Sequence, residues 1–340
     1  MAELSDQLMA VTVLAYLAAM VCYAAEYAFG DRSHIGRAAT RPVRQLVGAG
    51  VGGPVVKVPP AADVVTGGPA DEVPPPDDAV EQPPRRDRGV LFGRIAVGLT
   101  WLSFALHLST VVTRGLAAHR MPWGNMYEFI LAVTLVGAAV WLGVLTRKPA
   151  VRHLGLFVAL ALVVLLGAAG LIAYTPVGPL VPALNSAWYI VHVSTIIVSS
   201  GIFLVGAVPA AMFLIRGGYD AGKRSFPYTL GARVPAATAL ERLTFRMHAF
   251  AFPLFTFGAL IAGPLWAEAS WGRYWGWDPK EVWAFISWVV YAAYLHARAT
   301  PSVKRSTATW IALLGFATML MNLFGVNLFF AGLHSYANAG

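Results

Sequence analysis

Cysteine is almost absent: the 340 residues hold one, Cys22, inside the first apolar run. That excludes a disulfide framework, a C-x-x-C redox pair and a C-x-x-C-H attachment motif, so any thiol chemistry must use another chain's thiols. Charge is scarce as well. Asp, Glu, Lys and Arg make up 12% of the chain against about 25% in an ordinary soluble domain, while 57% of residues are hydrophobic. A soluble globular protein is excluded. There is no H-E-x-x-H or Cys/His zinc spacing and no Walker or G-x-G-x-x-G signature, which removes the common zinc and nucleotide sites.

What is present is a series of apolar runs long enough to cross a hydrocarbon core of ~30 Å at about 1.5 Å per helical residue. The pattern predicts an all-α polytopic membrane protein with eight spans, at 8–29, 90–113, 124–146, 153–174, 187–215, 246–267, 281–299 and 306–330. The first span has no basic n-region or A-x-A site and reads as a retained helix. Of the 25 Lys and Arg residues, 21 fall on alternate loops, leaving Arg114, Arg120, Arg273 and Lys280 on the other side. The positive-inside bias makes the basic side cytoplasmic and puts both termini outside, in a bacterial cytoplasmic membrane. The net charge of +8 is then a topology signal that suits anionic membrane lipid and needs no nucleic acid. Residues 31–89 carry ten of the 22 prolines, eight of the 17 acids and no aromatic residue. Such a segment cannot offset its ordering entropy by burial, so it reads as a disordered cytoplasmic linker. It separates a first helix, 1–30, from a seven-span body, 90–340.

The densest signal is the loop 266–283, which holds five of the 11 tryptophans: Trp266, Trp271, Trp275, Trp277 and Trp283. An interfacial aromatic belt is the plain explanation. A belt does not need Gly272 and Gly276, which let a backbone approach a ligand, and several indoles make a flat, partly wet platform for a large planar molecule. Composition alone leaves both readings open. Asp278, Pro279 and Glu281 match N-cap, N1 and N3 of the following helix, so Asp278 reads as a cap before it reads as a chemical participant. Asn125 and Glu128 repeat that pattern, with Tyr127 beside them as an interface anchor.

Ionisable residues in spans are functional candidates by default. The topology sorts the histidines. His192 and His334 lie at outward ends, on the side of the tryptophan loop. His296 and His248 lie near inward ends, and His107 lies within the second span. Neutral imidazole is a good iron ligand, so His192 and His334 could hold a haem from two sides. A lone intramembrane histidine is often only hydrogen-bonded to a neighbouring helix.

The run Trp271, Gly272, Arg273, Tyr274, Trp275, Gly276, Trp277, Asp278, Pro279, Lys280, Glu281 reads W-G-x-x-W-x-W-D-P-K-E. It resembles the tryptophan-rich WWD signature of cytochrome c biogenesis proteins, specifically the CcsA/ResC type of System II, often called CcsB in actinobacteria. Asn125 with Tyr127 and Glu128, S-A-W-Y-I-V-H ending at His192, Y-L-H-A-R around His296 and G-L-H-S-Y around His334 extend the similarity over most of 120–340. The resemblance implies haem b as substrate and bound ligand. It implies His192 and His334 as axial ligands of an outward site, with Trp271, Gly272, Tyr274, Trp275 and Trp277 against the macrocycle. Trp271, Trp275, Trp277 and Asp278 would serve the attachment step, and His296 an inner site completed by a partner of the ResB/Ccs1 type. The implied activity is a haem lyase acting on C-x-x-C-H apocytochromes c, supported by thiol-reducing proteins. Arg273 reads more readily as facing solvent or lipid phosphate than a haem propionate. Two other classes remain: a respiratory subunit holding permanent haem b for quinone chemistry, and a transporter of a hydrophobic substrate.

Overall fold

The computed structural model describes residues 1–29 and 88–334; the expected linker 31–89, but for its last two residues, lies outside them, as do 335–340. Among the described residues there is no strand. The helices are α1 (Ala2–Phe29), α2 (Arg88–Ala118), α3 (Met126–Arg147), α4 (Gly155–Ile172), α5 (Ala187–Asp220), α6 (Ala237–Phe257), α7 (Gly263–Trp271), α8 (Pro279–Ala299), α9 (Arg305–Leu320) and α10 (Val326–Phe329). A π-turn, Gly258–Ala262, joins α6 to α7, and another, Met321–Gly325, joins α9 to α10.

Among the described residues, seven helical runs are long and apolar enough to cross a membrane: α1, α2, α3, α4 with the turn before it, α5, α6 through α7, and α9 through α10. The protein is thus an all-α polytopic membrane protein. The seventh expected span, 281–299, forms as the 21-residue helix α8 but falls short in apolarity. Lys280 and Glu281 at one end, His296 and Arg298 at the other, and two tryptophans and two tyrosines between them dilute its aliphatic content. Its apolar face is nonetheless used, because α8 packs along α9 and α6, and the Tyr291 ring stacks on Phe203 of α5 at 3.9 Å between centroids.

Helix starts follow local rules. Asn125 caps α3 by accepting the Glu128 N–H at 2.9 Å, and Asp278 with Glu281 makes a full capping box on α8. Buried ion pairs then tie elements together. Arg114, fully buried, donates to Glu128 at 3.0 Å, and Arg120 reaches the same carboxylate at 2.7 Å. Glu128 also accepts the Gly124 N–H at 2.7 Å, so one carboxylate pins the loop before α3 to the end of α2. Tyr127 is buried under the Arg114 guanidinium, 4.5 Å from its ring centroid, and is a packing residue where an interface anchor was expected. Toward the other end of α1, Glu26 pairs with Arg152 of the turn Pro149–Leu154.

Candidate functional site

Pro264 sits in the first turn of α7 and has no N–H to give the carbonyl four residues earlier. The chain widens there into the π-turn, in which the Gly263 N–H bonds the Gly258 carbonyl. That carbonyl also receives His192 Nδ1 from α5, at 2.8 Å. A carbonyl only accepts, so Nδ1 carries the proton and Nε2 the lone pair. Gly263 eases this approach, since a Cβ at that position would lie 3.2 Å from the imidazole and the ring would have to give way slightly. The ring stacks on Trp266, 5.5 Å between centroids and 14° between planes. Trp266 is itself held, 2% exposed, by donating Nε1 to the Ala183 carbonyl at 2.9 Å.

His334 also packs on Trp266, edge-on at 5.4 Å, and is edge-on to Trp271 at 4.9 Å. Its Nδ1 donates to Asp278 Oδ1 at 2.7 Å. Asp278 Oδ2 accepts the Leu333 N–H at 2.6 Å, and Oδ1 accepts the Lys280 N–H at 3.2 Å. The same carboxylate therefore starts α8 and fixes the C-terminal histidine. Burial alone would raise the Asp278 carboxyl, but the hydrogen bond from His334 and the two backbone N–H groups outweigh it and hold it below the usual carboxylate range. In both histidines Nδ1 bonds an acceptor, which is how a protein fixes the ring orientation of an Nε2 metal ligand.

The loop between α7 and α8 is braced at a few points. Gly272 caps α7 at φ +68°, its N–H on the Glu268 carbonyl at 2.8 Å. Trp277 adopts φ +58°, costly for a bulky side chain. Glu281 Oε2 spans that residue, accepting the N–H of Gly276 at 2.8 Å and of Asp278 at 3.0 Å. The constraint leaves Trp277 67% exposed, with Tyr274 at 60%. Trp275 packs edge-on against Trp277 at 5.7 Å and keeps its buried Nε1 without a partner. Tyr274, Trp275, Trp266, His192 and His334 line a cavity of about 230 Å³ that extends past Ser200 and Leu204, well along α5. Trp266 and Trp271 thus pack against imidazoles, a placement that differs from a belt, whereas Tyr274 and Trp277 face outward from the protein.

The other histidines stand apart. His296 is exposed near the far end of α8, 18 residues from Asp278, or roughly 27 Å along a helix. His248 is buried with Nδ1 2.8 Å from the Thr244 carbonyl, among Phe203, Tyr291 and Tyr294. His107 is buried beside Tyr16. Arg273 faces Glu281, NH1 to Oε1 at 3.7 Å. Sequence reasoning missed the Gly258 carbonyl, the central place of Trp266 and the cavity residues Lys280 and Asn322. Gly263 followed by Pro264 was the available signal for the first of these.

A helical membrane protein that brings two histidines and a tryptophan-rich loop to one cavity defines a class, and comparison with known proteins narrows it. The model of the family described as cytochrome C assembly protein matches residues 123–334. A protein named cytochrome c biogenesis protein CcsA from Guillardia theta is 34% identical over 257 residues, covering 71% of this chain and 85% of that protein. Its namesake from Gloeobacter violaceus is 30% identical over 295 residues, covering 72% and 87%. The one from a Picosynechococcus strain is 31% identical over 307 residues, with the same coverages. The chain belongs to the cytochrome c assembly protein family and is of the CcsA type. Its general role is therefore in cytochrome c biogenesis.

Proposed function

We propose that this chain holds haem b between His192 and His334 on the outer side of the membrane and presents it to the C-x-x-C-H segment of an apocytochrome c. It would do so as one part of a haem lyase, with a ResB/Ccs1-type membrane protein as the other. The observation that carries the reading is the pair of imidazoles packed on Trp266 and lining one cavity, each with Nδ1 on an acceptor, Gly258 O at 2.8 Å and Asp278 Oδ1 at 2.7 Å. Such a donor set suits iron, whose axial ligands are commonly imidazoles.

The chemistry supplied by the substrates is addition of two thiols across two vinyl groups. Each forms a C–S bond, and the thiol proton ends on the other vinyl carbon. No net oxidation occurs, so no cysteine is required of this chain. Its residues position: the histidines fix the iron, Tyr274 and Trp275 line the wall against which a planar ring rests, Trp271 and Gly272 brace that wall, and the exposed Trp277 meets the incoming acceptor. Proximity of this kind can account for most of a bimolecular acceleration. The acceptor's own histidine would then displace one imidazole and release the product. Thiol-reducing proteins would keep the acceptor cysteines reduced. His296, exposed at the far end of α8, would serve an inner site where haem enters, its second ligand coming from the partner. The alternation of basic loops supports placing the tryptophan loop and both termini outside.

The test is coexpression of the complex with an apocytochrome, scored for covalently bound haem. Holocytochrome that appears with the wild-type chain and falls at least tenfold with His192→Ala or His334→Ala supports the reading. A tightly held, non-covalent haem with no effect on the cytochrome would instead indicate a respiratory subunit, and no haem at all a transporter.

A further inference from the structure

Lys280 has not been used by the site as described, yet it lines the same cavity as His192, His334 and Trp275. Its Nζ makes one long contact, to the Asn322 carbonyl at 3.4 Å. The contact is reciprocated, because Asn322 Nδ2 donates to the Lys280 carbonyl at 3.3 Å. Asn322 belongs to the second π-turn, Met321–Gly325, so the last membrane helix is widened at the point where it receives the lysine. An ammonium has three protons to donate, and a single 3.4 Å contact is a poor use of them.

Among the described residues no carboxylate bonds Nζ. Asp278 is near, but its oxygens are engaged by His334, Leu333 and the Lys280 backbone N–H. Glu281 Oε2 braces Gly276 and Asp278, and Oε1 faces Arg273. The cavity around Nζ is otherwise largely apolar, with Phe316, Met319, Leu320 and Leu323 in its wall. Placing an ammonium there is costly without a compensating anion. The anion must then come with the ligand.

We infer that Lys280 is the carboxylate anchor of this cavity and binds a propionate of the haem held by His192 and His334. The inference rests on the haem reading above and adds to it the part of the substrate that is recognised. Axial ligation by two imidazoles fixes the iron but leaves the macrocycle able to turn about the ligand axis. A propionate held at one point of the wall removes that freedom and decides which ring edge, and so which vinyl groups, faces the acceptor thiols. Lys280 is thus a positioning residue, and Asn322 braces it.

The experiment is an equilibrium titration of the purified complex, stripped of haem, with haem, haem dimethyl ester and mesohaem. Mesohaem lacks the vinyl double bonds and keeps the propionates. Visible spectra report axial ligation at each step. The wild-type protein is expected to bind haem and mesohaem alike and both about tenfold or more tighter than the diester, the scale of one charged hydrogen bond. Lys280→Met should lower haem to the level of the diester with an unchanged low-spin spectrum, and Lys280→Arg should restore the preference. Asn322→Asp, which supplies an internal carboxylate beside an intact lysine, should also erase it and covers the case in which Lys280→Met fails to fold. A Lys280→Met or Asn322→Asp protein that still prefers haem over the diester by the wild-type factor overturns the anchor while leaving the haem site standing. Absence of a bis-imidazole spectrum in the wild-type complex overturns the haem site itself and the anchor with it.

Discussion

Asp278 stands at N-cap of α8 and also on the Nδ1 of His334, 56 residues further along the chain. Asp278→Asn separates the two duties. Asparagine caps a helix about as well as aspartate, so the melting temperature in detergent should move little, while loss of the negative charge beside His334, the proposed ligand, should weaken haem binding roughly 10–100-fold. Unchanged binding beside unchanged stability would mean that the residue is a cap alone. Trp277 carries the opposite signature. At φ +58° it is strained by roughly 1–2 kcal/mol, so Trp277→Gly should preserve or raise thermal stability and still lower holocytochrome yield if the exposed indole contacts substrate. At this scale the sequence was partly legible. The D-P-x-E pattern announces a cap through contacts three residues apart, but the bond to His334 joins the segments before α8 and after α10, and nothing local encodes it.

The two π-turns show what elements contribute. Each exposes a carbonyl to the cavity side: Gly258 to His192, Asn322 to Lys280. Gly263→Leu should push the His192 ring off that carbonyl and abolish its axial ligation, read from the visible spectrum of a complex that still expresses and assembles. Retention of a normal spectrum would show that the close approach at 3.2 Å is not needed. The brace at Glu128 is of a different kind. Glu128→Ala leaves the buried Arg114 with only Asp6, at 3.6 Å, and the Thr175 carbonyl, and stripping one member of a buried pair costs up to roughly 3–5 kcal/mol. A large fall in thermal stability is expected, and an unchanged melting curve would contradict it. Long apolar runs made these helices easy to read, as their signal is summed over about 20 residues. The π-turns depend on one missing N–H or a single side-chain fit and carry almost no summed signal. Helix α8 fell between these cases: capped legibly, with polar ends and aromatic content that keep it below the apolarity of its neighbours.

For the whole molecule, the distribution of charge predicts which side the site faces. In a chain with Cys22→Ala, Tyr274→Cys should react with a membrane-impermeant thiol reagent in intact cells, and Ser302→Cys only after lysis. The reverse pattern would put the tryptophan loop inside and remove the presentation role. The family match, 123–334, covers every element that lines the cavity and leaves out α1 and α2, which pack on one another and reach the body through Glu26–Arg152 and Arg114–Glu128. The central claim is that His192 and His334 together hold one haem. The visible spectrum of the complex, purified as wild type, His192→Ala and His334→Ala, tests it most directly. A low-spin bis-imidazole spectrum in the wild type that is lost or converted to single ligation in each variant is predicted. Unchanged ligation and haem content in both variants would contradict it.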